Sequence, residues 1–561
     1  MKLKLATMQS PTKAAAAVGV LALTAALSGS SLSFADGHKV LNTSIKGGVQ
    51  PNAAVNSPDN ILPKGFSFGV SNEQPHESCT PNQVSFVCIA QGSDPLENPS
   101  GVITKFGFLT DGTLTEPDEN TYLVLDHNPG GPTSGYDYGR HFLFQGHENS
   151  GELAYVTRIN LDVSDPNHRI TLLTPVGDDG KTHFNSIDGS TWNPFTKTLL
   201  FTQEVNLIAG VPRGGVIEIP VDWQSTTPPA PRTLYGILGH GGYEGIHPDS
   251  AGNLYLAEDI GGTSVNIDPN NPASPKTARN PNSFVYRFLP SDRTDLSKGG
   301  KLEALQVSIN GQAVTFVPVD ANHPSGDVFS TNQLKLHTLG KSWPVQWVTV
   351  HDTAKDGTAD FNANALAKAA GATPFKRPEN LQFLPGSDFK TFFFDPTGDT
   401  DATAGNVPAL AARGSWGSIF RVDLDNEGGD TGKISIVVLG DQFHASFDNL
   451  TFADDNVLLA AEDRGDTLHD QLNILDSVWA FDVTKNNVLD TRFIALGRDS
   501  DASPAGAEDN EPTGLHFSNG DSSIEGLVGA NPVDPEGSRL FFTQQHGQNI
   551  VWEVLGKHGP Q

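Results

Sequence analysis

Arg377-Pro378-Glu379 sets a guanidinium two residues from a carboxylate, in a chain with 36 Lys and Arg against 65 Asp and Glu. Proline fixes its own φ and biases the preceding residue toward extended backbone. Arg377 is therefore predicted to be extended, with its side chain and that of Glu379 on one face of the chain. A guanidinium fork beside a carboxylate suits an anion held on a metal. Taken alone, the same tripeptide reads as a surface ion pair, worth about 1 kcal/mol at most. Recurrence of similar acidic segments favours the first reading.

Each segment begins with a small or acidic residue and an apolar neighbour, then a turn rich in Asp, Asn or Pro, then a short apolar strand ending in an acid or amide. The series opens at His141-Phe142-Leu143-Phe144-Gln145-Gly146-His147-Glu148. It continues at Ser186-Ile187-Asp188, Tyr243-Glu244-Gly245, Arg377-Pro378-Glu379, Phe447-Asp448-Asn449 and Ile524-Glu525-Gly526. Units too small to bury their own faces must stack on their neighbours, and this plan predicts an all-β, six-bladed β-propeller with an irregular N-terminal extension and inserted loops. Two tandem β-sandwiches are the all-β alternative, which explains the strands but not the recurring acids.

In a propeller the first residues of successive blades converge at one mouth of the channel. Asp188, Glu244, Glu379, Asn449 and Glu525 are expected to form a ring there. Glu204, Glu258, Asp259, Asp395, Glu462 and Asp463 would lie in the loops one strand later. So many carboxylates stay ionised together only around cations, and an all-oxygen set points to Ca2+ before zinc or copper. Some of these acids are expected instead to cap turns. Among the histidines only His546, at a strand end in Gln544-Gln545-His546-Gly547, is carried forward as a candidate. No nucleophile elbow of the Gly-x-Ser-x-Gly kind and no phosphate-cradling glycine loop before a helix is present.

The elements that must position these residues agree with composition. Gly 58, Pro 38 and 37% hydrophobic residues suit many short strands joined by turns. Residues 1–35 read as a Sec-type export signal, with Lys2, Lys4 and Lys13 before an apolar run and a cleavage site at Ser33-Phe34-Ala35. The first arginine is Arg140, which excludes a twin-arginine signal. Residues 36–100 read as an extended N-terminal segment, with Cys79 and Cys88 expected to pair as a disulfide in an exported protein. The propeller is expected over 101–561, with an insertion at about 289–373. No later apolar stretch is long enough to span a bilayer. The formal charge of −29 becomes −29 − 3 = −32 without the three signal lysines, a field that repels nucleic acid and anionic lipid.

Arg377-Pro378-Glu379, Gln544-Gln545-His546-Gly547, Tyr243-Glu244 followed by Leu254-Tyr255-Leu256-Ala257-Glu258-Asp259, and Tyr286-Arg287-Phe288 resemble the PhoX-type alkaline phosphatases over residues 142–554. The resemblance implies a six-bladed propeller with a calcium and iron cluster in its channel that hydrolyses phosphomonoesters. It makes Glu244 and Glu379 metal ligands and gives Arg377 the phosphate, with Glu204 among the acidic ligands. The expected catalytic set is thus Arg377, Glu379 and Glu244, and His546 joins Arg377 as a phosphate contact. The expected metal set is Glu244, Glu379, Glu204, Asp188, Glu258, Asp259, Glu462 and Glu525.

The sequence departs from that family where its iron-binding cysteine stands. Ser186 occupies the position, and serine is a poor ligand for Fe3+, so calcium is the expected ion. The leading expectation is a periplasmic or secreted monomeric enzyme acting on a small phosphate ester, with no nucleic-acid partner. A calcium-dependent lactonase-type hydrolase and a non-catalytic, calcium-stabilised binding propeller are the alternatives.

Overall fold

The computed structural model describes residues 86–554, except 108–113, 150–153, 175–183, 205–206, 209–210, 213, 224–230, 464–467, 473–475, 485–488, 497–510, 534–536 and 547. The expected signal segment, Cys79 and most of the N-terminal extension lie outside these residues.

Strands dominate, and the longest described helix, Ala363–Ala370, has 8 residues. The strands run up and down in antiparallel sets. Glu116–Val124, His141–Glu148, Val156–Asn160 and Ile170–Leu172 form one set, extended by the parallel pairing of Pro95–Glu97. Ile187–Asn193 starts the next, Tyr243–Pro248 and Pro378–Phe383 start two more, and Phe447–Phe452 starts another. The set begun by Glu511–Ser518 is completed by a strand from the far end of the chain, since Phe86–Ala90 pairs with Ile550–Val554.

The first strands of successive sets touch in a closed cycle, from Glu116–Val124 round to Glu511–Ser518 and back. Apolar side chains fill the wedges between sets. Phe142, Phe144 and Leu123 meet Ile187, Leu199 and Phe201. Tyr255, Leu305 and Val307 meet Leu381, Phe392 and Phe394, and Phe541 and Val551 meet Tyr122 and Leu143. Because each sheet is covered on both faces, strands such as Val457–Glu462 are buried along their whole length, and their sequences read as apolar runs without alternation. The arrangement is all-β and propeller-like.

Segment 289–373 is more than a loop on this body. Gly300–Ile309 is the fourth strand of its set, and Ser342–Asp352 pairs with it on one side and with Thr431–Leu439 on the other. That strand sews two neighbouring sets into one ten-stranded sheet.

Candidate active site

Every channel-lining first strand loses register with its partner at the same point: between Pro117 and Asn120, Ile187 and Ser190, Tyr243 and Ile246, Pro378 and Leu381, Phe447 and Leu450, and Thr513 and His516. A bulge re-aims the side chain at its start. In five strands that residue is an acid: Asp118, Asp188, Glu244, Glu379 or Asp448. In the last it is Gly514, at φ +61°. The next residue faces crowding from the neighbouring strand. A Cβ on Gly189 would collide with the carbonyl of Glu244, and one on Gly245 would lie 2.7 Å from the Leu381 nitrogen.

A second tier comes from the ends of the second strands. The amide of Glu204 donates to Ser186 O at 3.1 Å, that of Asp259 to Gly242 O at 2.7 Å and that of Asp463 to Ser446 O at 2.7 Å. The same bond runs from Thr397 to Arg377 O at 2.8 Å. Each carbonyl belongs to the residue two before a bulged acid, so one backbone motif sets both tiers. Ser186, Arg377 and Ser446 adopt φ of 38°, 57° and 52° to make it. The expectation of extended backbone at Arg377 is thus overturned, because the turn that feeds the strand outweighs the bias from Pro378.

The two tiers enclose a cavity of about 280 Å3 walled by eleven carboxylates, one arginine, Gln545 and His546. Carboxylate oxygens lie within 4.8 Å of one another in three groups: Asp118, Glu148 and Asp188; Asp188, Glu204 and Glu244; and Glu244, Asp259 and Glu379. Asp188 and Glu244 each belong to two groups. Asp259 Oδ1 is buried without a hydrogen-bond partner, as expected of an oxygen set aside for a cation. The residues present therefore fit metal ions with oxygen ligands.

Burial, reinforced by neighbouring carboxylates, pushes Asp118, Glu148, Asp188, Glu244, Asp448 and Glu511 well above the usual carboxylate range. Glu379 rises to about 8 through burial and then Asp259. Arg377 is the single guanidinium among the described wall residues. Burial disfavours its charge, but Asp259, Glu379 and Asp463 hold it protonated, above its ordinary value. Its Nε donates to Asp259 Oδ2 at 2.8 Å, and one Nη stands 3.4 Å from Glu379 Oε1 and 3.9 Å from Asp463 Oδ2. His546, at φ 70°, places Nε2 3.7 Å from Glu116 Oε1.

Of the residues expected from sequence, Asp188, Glu204, Glu244, Asp259, Arg377, Glu379, Asp463 and His546 meet in this cavity. Glu258, Glu462 and Glu525 do not. Side chains alternate along a strand, so Asp259 facing the cavity turns Glu258 toward the sheet interior. There Glu258 accepts from Phe284 N, Tyr286 OH and Asn364 Nδ2. Glu462 is displaced in the same way by Asp463 and accepts from Ala445 N at 3.0 Å.

Glu525 belongs to a short 3-10 turn, Ile524–Gly526, while the strand that lines the channel is Glu511–Ser518. Glu525-Gly526-Leu527 is like Glu244-Gly245-Ile246 in sequence but lies at that turn and not in a channel strand. Asp395, expected in the second-strand loops, and Asn449, expected in the ring, also fall elsewhere. Asp395 accepts from Asn380 N at 3.0 Å, and Asn449 accepts from Thr513 Oγ1 at 2.9 Å.

Glu116, Asp118, Glu148, Asp448, Glu511 and Gln545 complete the wall but were absent from the expected ligand set. A signal exists for two of them: Phe447-Asp448-Asn449-Leu450 shares acid-Asn-Leu with Glu379-Asn380-Leu381, and Pro117-Asp118 shares Pro-acid with Pro378-Glu379. Ser186 shapes the turn before Asp188 and is not part of the wall.

A propeller-like ring of sheets around a carboxylate-lined channel defines the class of protein. Within it, the chain belongs to the alkaline phosphatase PhoX family, whose profile matches residues 213–524. Membership supports a phosphatase-type hydrolase. The fold is similar to that of Pseudomonas fluorescens PhoX, solved with vanadate, a transition state analogue, at 14% identity over 92% of this chain and 98% of that one, with a TM-score of 0.51. A glucose dehydrogenase (9% identity, 84% of this chain, 100% of that one, TM-score 0.35) is more distant. So is the calcium structure of the Trichoderma reesei family AA12 enzyme (11%, 92%, 100%, TM-score 0.30). No curated protein matches the chain. Among the described residues, no helix is long and apolar enough to cross a membrane.

Proposed function

We propose that the protein is an exported phosphomonoesterase, built as a six-bladed propeller, whose channel carboxylates hold calcium ions against which Arg377 grips the phosphoryl group. The observation that carries this reading is the chain of three carboxylate groups linked through Asp188 and Glu244, with Arg377 beside the last of them. Calcium is favoured over iron because every ligand in the groups is a carboxylate oxygen and Ser186 contributes nothing to the wall.

Bound cations would supply neutralisation and polarisation of the phosphoryl oxygens. The chain's own residues do the rest. Asp259 engages Nε of Arg377 and so orients the guanidinium, leaving the Nη edge to donate to the equatorial oxygens. His546 provides a further donor at the rim. Shielding by the buried wall strengthens each of these contacts as charge develops in the transition state. Among the described residues the wall contains no aromatic side chain other than His546, so recognition centres on the phosphoryl group.

The test is hydrolysis of p-nitrophenyl phosphate by the purified protein, with calcium, after chelation and after calcium is restored. Turnover that disappears and returns, and that Arg377→Ala lowers by about 100-fold or more, is the expected result. Bound calcium without turnover would make the metal structural. Activity retained by Arg377→Ala would reject the assigned phosphate grip.

A further inference from the structure

The channel has a second cavity, of about 290 Å3, further along the same strands. Its wall residues Thr121, His247, Gln382 and Thr451 each lie three positions beyond a bulged acid, roughly 10 Å at the rise of a strand. A polar layer separates the two spaces. Glu119 crosses between strands, accepting from Ser190 N at 2.8 Å and from Asn380 Nδ2, and Asn449 accepts from Thr513 Oγ1.

The two cavities differ in chemistry. The second is lined by hydroxyl, amide and imidazole groups, Ser190 and His516 among them, and among the described residues by no lysine or arginine. Burial keeps its histidines neutral, lowering His247 to about 3 and His516 to about 4. Its carboxylates, Asp521 and Glu525, belong to one segment. Among the described residues an anion would find no cation here, and a cation would find acids on one side only.

Trp192 lines this wall with its Nε1 already engaged, donating to Ser522 O at 2.7 Å, and Leu527 and Val528 add apolar surface. Gln382 is 5% exposed and its Oε1 has no partner within the protein, nor has Nε2 of His516. Unmet polar groups around an apolar patch describe a site for a molecule with both hydroxyl edges and a C–H face.

We propose that this cavity binds an uncharged, hydroxyl-rich small molecule of monosaccharide size, at a site separate from the carboxylate cavity. Calorimetric titration of the full chain with D-glucose and with myo-inositol, and with D-gluconate as the anionic counterpart, tests it. Expected is saturable binding of a neutral probe in the range of about 1 mM, weakened about tenfold or more by Gln382→Leu and by Trp192→Ala. p-Nitrophenyl phosphate turnover is expected to stay unchanged in both variants, which also reports that they are folded. Absence of saturable binding by either neutral probe to the unmodified protein overturns the proposal. So does equal binding of gluconate, or binding that survives both substitutions.

Discussion

Lys376 donates to Asp399 Oδ1 at 2.7 Å with both side chains shut off from solvent, one residue before the arginine that faces the carboxylate cavity. The backbone on either side is tied down too, since Gly398 N donates to Lys376 O and Arg279 N to Asp399 Oδ1. The pair holds the turn in which Arg377 adopts positive φ, a conformation that needs surrounding structure to enforce it.

Lys376→Met would strand a buried carboxylate. We expect a loss of about 3–5 kcal/mol in urea unfolding, and a smaller loss when Asp399→Leu is combined with it, because the second change removes the uncompensated charge. A double variant as unstable as the single one would contradict this account of the pair.

Ligand sharing ranks the carboxylates. Asp188→Asn and Glu244→Gln each disturb two oxygen groups, Glu204→Gln disturbs one and Glu525→Gln none. Calcium retained per chain after gel filtration, read by atomic emission, should fall most for the first two and stay at the unmodified level for Glu525→Gln. Equal loss in all four variants would dissolve the distinction between the two ends of the channel.

Removal of metal should make stability depend on pH in a defined direction. Carboxylates whose folded pKa is raised hold protons that the unfolded chain releases, so stability falls as pH rises from the ordinary carboxylate range toward the folded value, about 8 for Glu379. Metal-stripped protein is therefore expected to melt lower at pH 8 than at pH 5, and added calcium should raise the pH 8 melting temperature more. Identical melting temperatures at the two pH values, with and without calcium, would count against a cation-dependent wall.

His337 predicts the opposite slope on the acid side. Burial lowers its pKa to about 4, and its Nδ1 lies 2.8 Å from Gln333 O. A folded pKa below the unfolded value gives stability that is complete above about 6.5 and declines as pH falls toward 4, by about 3 kcal/mol at most. His337→Asn should flatten that decline in urea midpoints measured between pH 7 and pH 4.

The all-β class, the recurring strands and about half of the cavity acids were legible in the amino-acid order, because sheets buried on both faces leave apolar runs and four of the bulges leave acid-Gly or acid-Asn pairs. Asp188-Gly189 and Glu244-Gly245 carry that mark plainly, since the glycines admit the neighbouring strand. Only the tertiary structure decided which member of Glu258-Asp259 and of Glu462-Asp463 faces the channel. Strand alternation depends on register, and register is set by pairing across the sheet and not by composition. It also decided that Glu511–Ser518, and not the segment around Glu525, lines the channel, because ring closure through Phe86–Ala90 joins residues that no local pattern connects.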